Sequence, residues 1–262
     1  MSHFQFQTVS NIISGLGSIY ELKQLLQQQP YKKLLLVTDA GMIQQQLHLP
    51  IIEILETIQL DYVIYSSVQA DPPEHIVLDA VQFAKNEKVD IVLGFGGGSS
   101  LDVAKVIAIL AYPQQQQTLS DLYGINNAKQ PRLPLFLVPT TAGTGSEVTP
   151  ISIVTTGKTT KTGIVSPVLF ADVAILDATF TQNLPAHITA ATGIDAMVHA
   201  IEAYTSKIKK NPYADMLAKQ ALKLLNHNLS LVLADGQNLA ARQNMLVGSM
   251  LAGQAFANAP VA

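Results

Sequence analysis

Short, uninterrupted apolar runs punctuate the first two-thirds of the chain, at 34–38 (Leu34-Leu35-Leu36-Val37-Thr38), 62–65, 91–95, 135–138 and 173–176. Continuous rather than alternating apolarity marks strands buried on both faces, the habit of parallel sheets covered by helices. Between the runs, 74–86 repeats Ile76, Val77, Ala80, Val81 and Ala84 at helical spacing, and 100–111 reads as a second helix. Strands alternating with helices predict βαβ units and an α/β layer. The pattern changes at Leu184-Pro185. From His187 onward no strand pattern remains, and 191–203, 213–225 and 240–257 read as successive helices rich in Ala, Leu and Met. The expected organisation is an α/β domain over 1–184 followed by a helical domain over 185–262. Within the first of those helices, Ile194, Met197, Val198 and Ile201 are expected to supply the apolar face.

Composition narrows the function classes. Of 262 residues, 48% are hydrophobic and 13% charged, with a net charge of −3. That is ample for a core and excludes intrinsic disorder. It leaves no basic excess to follow a phosphate backbone, so a nucleic acid partner is not expected. The chain has no Cys, which removes disulfides, zinc–thiolate sites and thiol nucleophiles. The apolar stretch at 103–111 contains Lys105 and falls short of the ~18 residues of a spanning helix. The N-terminus lacks the basic start and apolar stretch of a signal peptide. A cytoplasmic location without membrane attachment is the resulting expectation. Gln runs at 27–29, 44–46 and 114–117 read as solvated helix ends and loops.

Four segments hold candidate chemistry. The run Gly94-Phe95-Gly96-Gly97-Gly98-Ser99-Ser100-Leu101-Asp102 follows the third predicted strand and opens a helix. Ser99 is read as the helix cap, with Asp102 three residues on at capping-box spacing. Free N–H groups and the positive helix end would favour a phosphate or pyrophosphate. A tight strand-to-helix turn without a ligand is the alternative, and the spacing is not G-x-G-x-x-G. Asp39 directly follows the first clear strand. It would either bind ribose hydroxyls and repel a 2′-phosphate, or simply make a turn or cap. The segment Pro139–Thr149, with Thr140, Thr141, Thr144 and Thr149, also follows a strand. Its hydroxyls suit phosphate, ribose or carboxamide, though small polar residues also fill ordinary connections. Lastly, Asp195 and His199 stand four apart on one helix face, where they could share a divalent cation or form an ordinary Asp–His pair. His3, His48, His75, His187 and His227 read as structural or solvated. No Gly-x-Ser-x-Gly elbow exists to anchor a hydrolase triad.

Taken in this order, the Thr38-Asp39-Ala40-Gly41 turn and the Gly96–Lys105, Pro139–Thr149 and Gly193–Tyr204 motifs resemble the iron-containing alcohol dehydrogenase family. The resemblance implies a Rossmann-like dinucleotide-binding domain followed by an all-α, metal-binding domain that is incomplete in this chain. It implies hydride transfer between a small alcohol or aldehyde and NAD. Asp39 would read the adenosine ribose and favour NAD over NADP. Gly97, Gly98 and Ser99 would hold the pyrophosphate with Asp102 nearby, and the four threonines would line the adenine and nicotinamide side. Lys161 matches a lysine that approaches the cofactor, although its own surroundings beside Lys158 suggest a solvated side chain. Asp195 and His199 match the first two ligands of Fe2+ (or Zn2+), which would act as a Lewis acid on the substrate oxygen.

The pattern departs from the family at its end. The family's two further metal-binding histidines and a proton-relaying histidine would follow the last segment, 256–262. A half-present metal site, no certain catalytic residue and an inactive portion of such an enzyme are therefore expected. A non-catalytic remnant retaining at most NAD binding is one alternative. A dehydroquinate-synthase-like lyase is another, and the wording of the Pro139–Thr149 and Gly193–Tyr204 motifs argues against it. A homo-oligomer is left open.

Overall fold

A computed structural model describes residues 3–260, so the readings made at either extreme end of the chain lie outside it. All five predicted strands form, as β2 (Lys33–Asp39), β3 (Asp61–Val68), β4 (Ile91–Gly96), β6 (Leu135–Pro139) and β9 (Val173–Leu176). A sixth, β1 (Asn11–Ser14), adds an edge to give one parallel sheet in the order β1-β9-β6-β4-β2-β3. A smaller sheet joins β5 (Gly124–Ile125), β8 (Thr160–Val165) and β7 (Ile151–Thr156), the last two as an antiparallel hairpin. The helices of this part are α1 (Leu22–Gln27), α2 (Ala40–Gln44), α3 (Leu49–Thr57), α4 (Glu74–Glu87), α5 (Gly98–Leu110) and α6 (Leu119–Leu122). The three remaining helices are α7 (Ala186–Thr205), α8 (Pro212–Ala234) and α9 (Leu239–Asn258).

Continuous apolar strands are explained by cover on both faces. Leu35, Val37, Val92, Leu135 and Leu137 belong to a core shared with α4 and α5. Their neighbours Leu34, Leu36, Ile91, Leu93 and Phe136 point the other way, into a second core with Leu22, Ile51 and Leu55. Each face of the sheet is thus a separate apolar layer, and all ten of these strand residues are buried.

In the helical part, α8 and α9 have polar caps, whereas α7 follows Pro185 with no side-chain cap. Asn211 Oδ1 accepts the Ala214 N–H at the head of α8, with Pro212 in the first turn, and Asn238 Oδ1 accepts the Ala241 N–H at the head of α9. On α7 the expected apolar face is wrong. The buried residues are Thr189, Gly193, Ala196, Ala200 and Ala203, whereas Ile194, Val198 and Ile201 are exposed and only Met197 packs against the core. The reason is close helix approach: a Cβ on Gly193 would lie 2.8 Å from Leu229 Cδ1 of α8, so small residues make the contact.

α9 ties the two parts together. Gln243 accepts the Ala178 N–H and donates to Leu176 O and Ser14 Oγ. At its other end, Asn258 exchanges two hydrogen bonds with the backbone of Gln7, drawing the N-terminal segment across the helix. No helix among the described residues is long and apolar enough to cross a membrane.

Candidate cofactor-binding site

The sheet order fixes where a ligand crevice opens. From β2 the chain goes outward to β3, then returns across β2 to β4 and continues in the opposite direction. Such a reversal leaves a crevice outside the carboxyl ends of the two central strands, here β2 and β4. Asp39 ends β2, Gly96 ends β4, and Gly97 and Gly98 follow it.

Asp39 makes the cap that was one of its two expected roles with one oxygen, and its other oxygen is turned toward the crevice. Oδ1 caps α2, accepting the N–H groups of Gly41 (2.8 Å) and Met42 (3.2 Å). Oδ2 faces the glycine turn. A Cβ on Gly96 would lie 3.3 Å from it and 2.8 Å from Ser100 Oγ, and Gly96 has φ +146, so neither the space nor the backbone tolerates a side chain.

The helix start differs from its expected form. Gly97 is the cap residue of α5 and no side chain caps it, so Ser99 lies inside the first turn and no capping box forms. The N–H groups of Ser100 and Leu101 return to Gly97 O at 3.0 and 3.2 Å. Those of Gly98 and Ser99 have no partner among the described residues. Two free donors at the positive end of a thirteen-residue helix suit a phosphate group. Asp102 is not free to join them. Its Oδ1 accepts the Ser146 hydroxyl at 2.5 Å and its Oδ2 the Ile153 N–H at 2.9 Å.

The 139–149 loop forms the opposite wall. The Thr140 N–H donates to Gly96 O at 2.9 Å, which fastens the start of the loop beside the turn. Thr141 stands over Gly97, and Thr144 packs against Gly98, whose Cβ would lie 2.9 Å from Thr144 Oγ1. Thr149 instead turns inward, where its hydroxyl sits 3.4 Å from Lys105 Nζ. The loop also meets the helical part: a Cβ on Gly145 would lie 2.8 Å from Gly253 Cα of α9, and one on Gly143 would lie 2.9 Å from Thr192 Cβ of α7. Lys161 on β8 is exposed and pairs with Asp71 at 2.6 Å, in keeping with the solvated reading of its own surroundings.

Two buried charges here were not singled out from the sequence. Lys105 is fully buried within α5, and burial draws its ammonium below the ordinary value while Asp102 and Glu147 oppose the shift. Glu147 is also buried, and desolvation pushes its carboxyl up to about 7 against the pull of its own backbone N–H and Lys105. The interruption of the apolar run 103–111 by a lysine was the available signal.

Asp195 and His199 lie further along α7 on the face that begins with Thr192. The His199 Nε2–Asp195 Oδ1 distance is 3.8 Å. His199 Nδ1 is buried without a hydrogen-bond partner, and its ring lies 5.1 Å from that of Phe256. A carboxylate and an unsatisfied imidazole one turn apart fit two positions of a metal donor set. No third His, Cys, Asp or Glu joins them among the described residues.

Comparison with known proteins agrees with this architecture. Residues 10–178 match the family model for iron-containing alcohol dehydrogenase, and residues 189–262 match the model for the C-terminal part of the Fe-containing alcohol dehydrogenase family. The chain is 38% identical over 256 residues to sulfoacetaldehyde reductase of Bilophila wadsworthia, covering 97% of this chain and 65% of that relative. The crystal structure of a 1,3-propanediol oxidoreductase superposes with a TM-score of 0.94 at 35% identity, covering all of this chain and 68% of the other. Sulfoacetaldehyde reductase from Bifidobacterium kashiwanohense, solved in complex with NAD+, gives 0.91 at 28% identity, covering 100% and 69%. The chain thus spans just under two-thirds of the length of the curated relative. It belongs to the iron-containing alcohol dehydrogenase family.

Proposed function

We propose that this chain carries the cofactor side and the first two metal donors of an NAD-dependent, iron-assisted alcohol dehydrogenase, moving hydride between a small alcohol or aldehyde and NAD. The observation that carries the reading is the crevice at the sheet reversal, where Asp39 Oδ2 faces a glycine turn with two free N–H donors. Asp39 would accept from the ribose hydroxyls, and its charge would repel a 2′-phosphate. The N–H groups of Gly98 and Ser99 would take the pyrophosphate, between walls formed by Thr141 and Thr144. Thr140 and Thr149 would hold the loop rather than touch the ligand.

Asp195 and His199 would hold iron, in preference to zinc on the strength of the family. When bound, iron supplies Lewis acidity toward the substrate oxygen. Two donors on one helix are fewer than a metal site needs, so these 262 residues by themselves are proposed to bind NAD without turnover. The division between the cofactor half and the metal half is placed near residue 184. A cytoplasmic setting fits a nicotinamide-dependent reaction.

Calorimetric titration with NAD and NADP tests the assignment. The unaltered chain should prefer NAD by about tenfold or more, because a like charge facing the 2′-phosphate is costly. Asp39→Ser keeps a capping oxygen but removes the charge, and should bring the ratio toward one. Equal binding of the two cofactors, or of neither, by the unaltered chain would overturn the reading. Alcohol-dependent NADH formation by these residues with Fe2+ would overturn the expected inactivity.

A further inference from the structure

A buried cation in the helical part has no role in that reading. Arg242 stands in the first turn of α9 and is 4% exposed. Its Nε donates to Gly236 O and its Nη2 to Leu184 O at 3.4 Å, so the side chain ties the α8–α9 turn to the junction between the two parts. These bonds use two of the five N–H groups of a guanidinium, and the other three meet no acceptor among the described residues. No carboxylate among the described residues forms an ion pair with it. Asp235, the nearest acid along the chain, turns Oδ1 to the Gln237 N–H, and both oxygens of Asp177 accept from Ile19 and Thr179. Burial draws the guanidinium below its ordinary value, with no carboxylate opposing the shift.

The charge is therefore held against two unfavourable effects. Removal from water disfavours an ion that gains no counter-charge, and the amino end of a helix repels a cation. The start of α7 adds to the same positive potential, because no side chain caps its first N–H groups. A neutral amide could donate to the same carbonyls without burying a charge, so the two bonds do not by themselves account for arginine. Arg242 lines a small cavity with Ala142 of the 139–149 loop, Thr181 of the α/β part, and Thr189 and Thr192 of α7. None of the lining residues is acidic, and the three threonine hydroxyls already donate to Ala178 O, Leu184 O and Ile188 O. The guanidinium is thus the one source of uncommitted side-chain protons among the lining residues. The cavity has room for about one water-sized guest.

We propose that Arg242 and the cavity it lines form a binding site for one small monovalent anion of the chloride class, which ties the helical part to the α/β part. The assignment does not rest on the NAD reading. A halide supplies the counter-charge that the described residues lack. The remaining walls, Val232 of α8 and Met245 of α9, are apolar, and the space suits a single atom. Both features favour a weakly hydrated halide over sulfate or phosphate, which are larger and bring a second charge to desolvate. The walls come from the loop, the junction and three helices, so the ion binds only where these are packed together. Its binding then stabilises the folded chain.

The test is thermal unfolding of the 262-residue chain in potassium chloride against potassium gluconate, whose anion is too large for the cavity. At about 200 mM salt the midpoint should lie about 3 °C higher in chloride, and it should rise with the chloride share at fixed total salt. Arg242→Met keeps a long side chain but removes the charge, and should close the gap to less than about 1 °C. A gap that survives the substitution places the effect of chloride elsewhere and overturns the assignment, as does the absence of a gap in the unaltered chain. If Arg242→Met does not fold, crystals of the unaltered chain grown in bromide decide. Anomalous density within hydrogen-bonding reach of Arg242 Nη1 or Nη2 is expected, and bromide found only at other places, or nowhere, sinks the proposal.

Discussion

The glycine turn after β4 and the Asp195–His199 stretch of α7 both present polar groups next to an apolar layer, but the surrounding chain packs around them differently. Around the turn, Asp39 is half-used as a cap, Asp102 is saturated, and the strand residues behind it have no solvent exposure. On α7, His199 Nδ1 is unsatisfied, and Ile194, Val198 and Ile201 are 51%, 42% and 49% exposed. The contrast separates two uses of sequence. Around the turn, local residues supply both the packed strand and the two unpartnered N–H groups. On α7 the described residues supply one packed face of small residues, and the large apolar side chains beside Asp195 and His199 face outward.

Truncations on the two sides should differ most. Leu93→Ala, inside the sheet, is expected to cost about 2–5 kcal/mol in urea unfolding, since it leaves a cavity between packed layers. A cost below about 1 kcal/mol would mean that the sheet relaxes around the gap. Gly145→Ala probes the junction between the parts, where φ is +60 and the new Cβ would meet the Gly253 backbone. It should lose roughly 2–4 kcal/mol from strain and overpacking. Unchanged stability there would show that the loop can move away from α9.

Glu147→Gln sharpens the comparison through pH. The folded carboxyl keeps its proton up to about 7, while an unfolded glutamate releases it near the ordinary 4.5. Between those values the folded chain binds more protons, so stability is fully present below 4.5 and declines as pH rises through 7. The whole swing is at most about 3 kcal/mol for a shift of this size. Thermal unfolding of Glu147→Gln from pH 4.5 to 8 should show a flatter profile, with its largest gain over the unaltered chain at pH 8. A parallel profile would mean that Glu147 is ionised in the folded chain throughout. The smallest effect is expected for Ile194→Lys on α7, within about 0.5 kcal/mol, because half of the side chain already meets water. A large loss would reveal a contact that the exposed face conceals.

The legible features share a local cause. Five strands could be read from continuous apolarity and the turn from adjacent glycines, because burial on both faces and absent Cβ atoms leave marks within a few residues. The β7–β8 hairpin was not read. Its two strands, Ile151–Thr156 and Thr160–Val165, mix threonine, lysine and glycine with few large apolar residues, and they pair in a half-exposed sheet. Four of the assigned ligand residues (Asp39, Gly97, Gly98 and Ser99) lie at the sheet reversal, and the structure flanks them with Thr141 and Thr144. It directs Asp102 and Thr149 inward and pairs Lys161 with Asp71.

Residue type and spacing alone determined that the chain alternates strands with helices, turns on glycines after β4, and sets a carboxylate and an imidazole one helical turn apart. Those properties depend on neighbours within about one turn or strand, which covalent geometry already brings together. Strand order, the reversal between β2 and β4, the approach of Asp39 to the glycine turn, and the burial of Lys105 against Ser146 and Ile151 required the folded chain. They join residues some forty or more positions apart, and many sequences with the same local pattern would bring different partners together. The same holds for α7, where approach to α8 rather than the hydrophobicity of its own side chains selected the buried face.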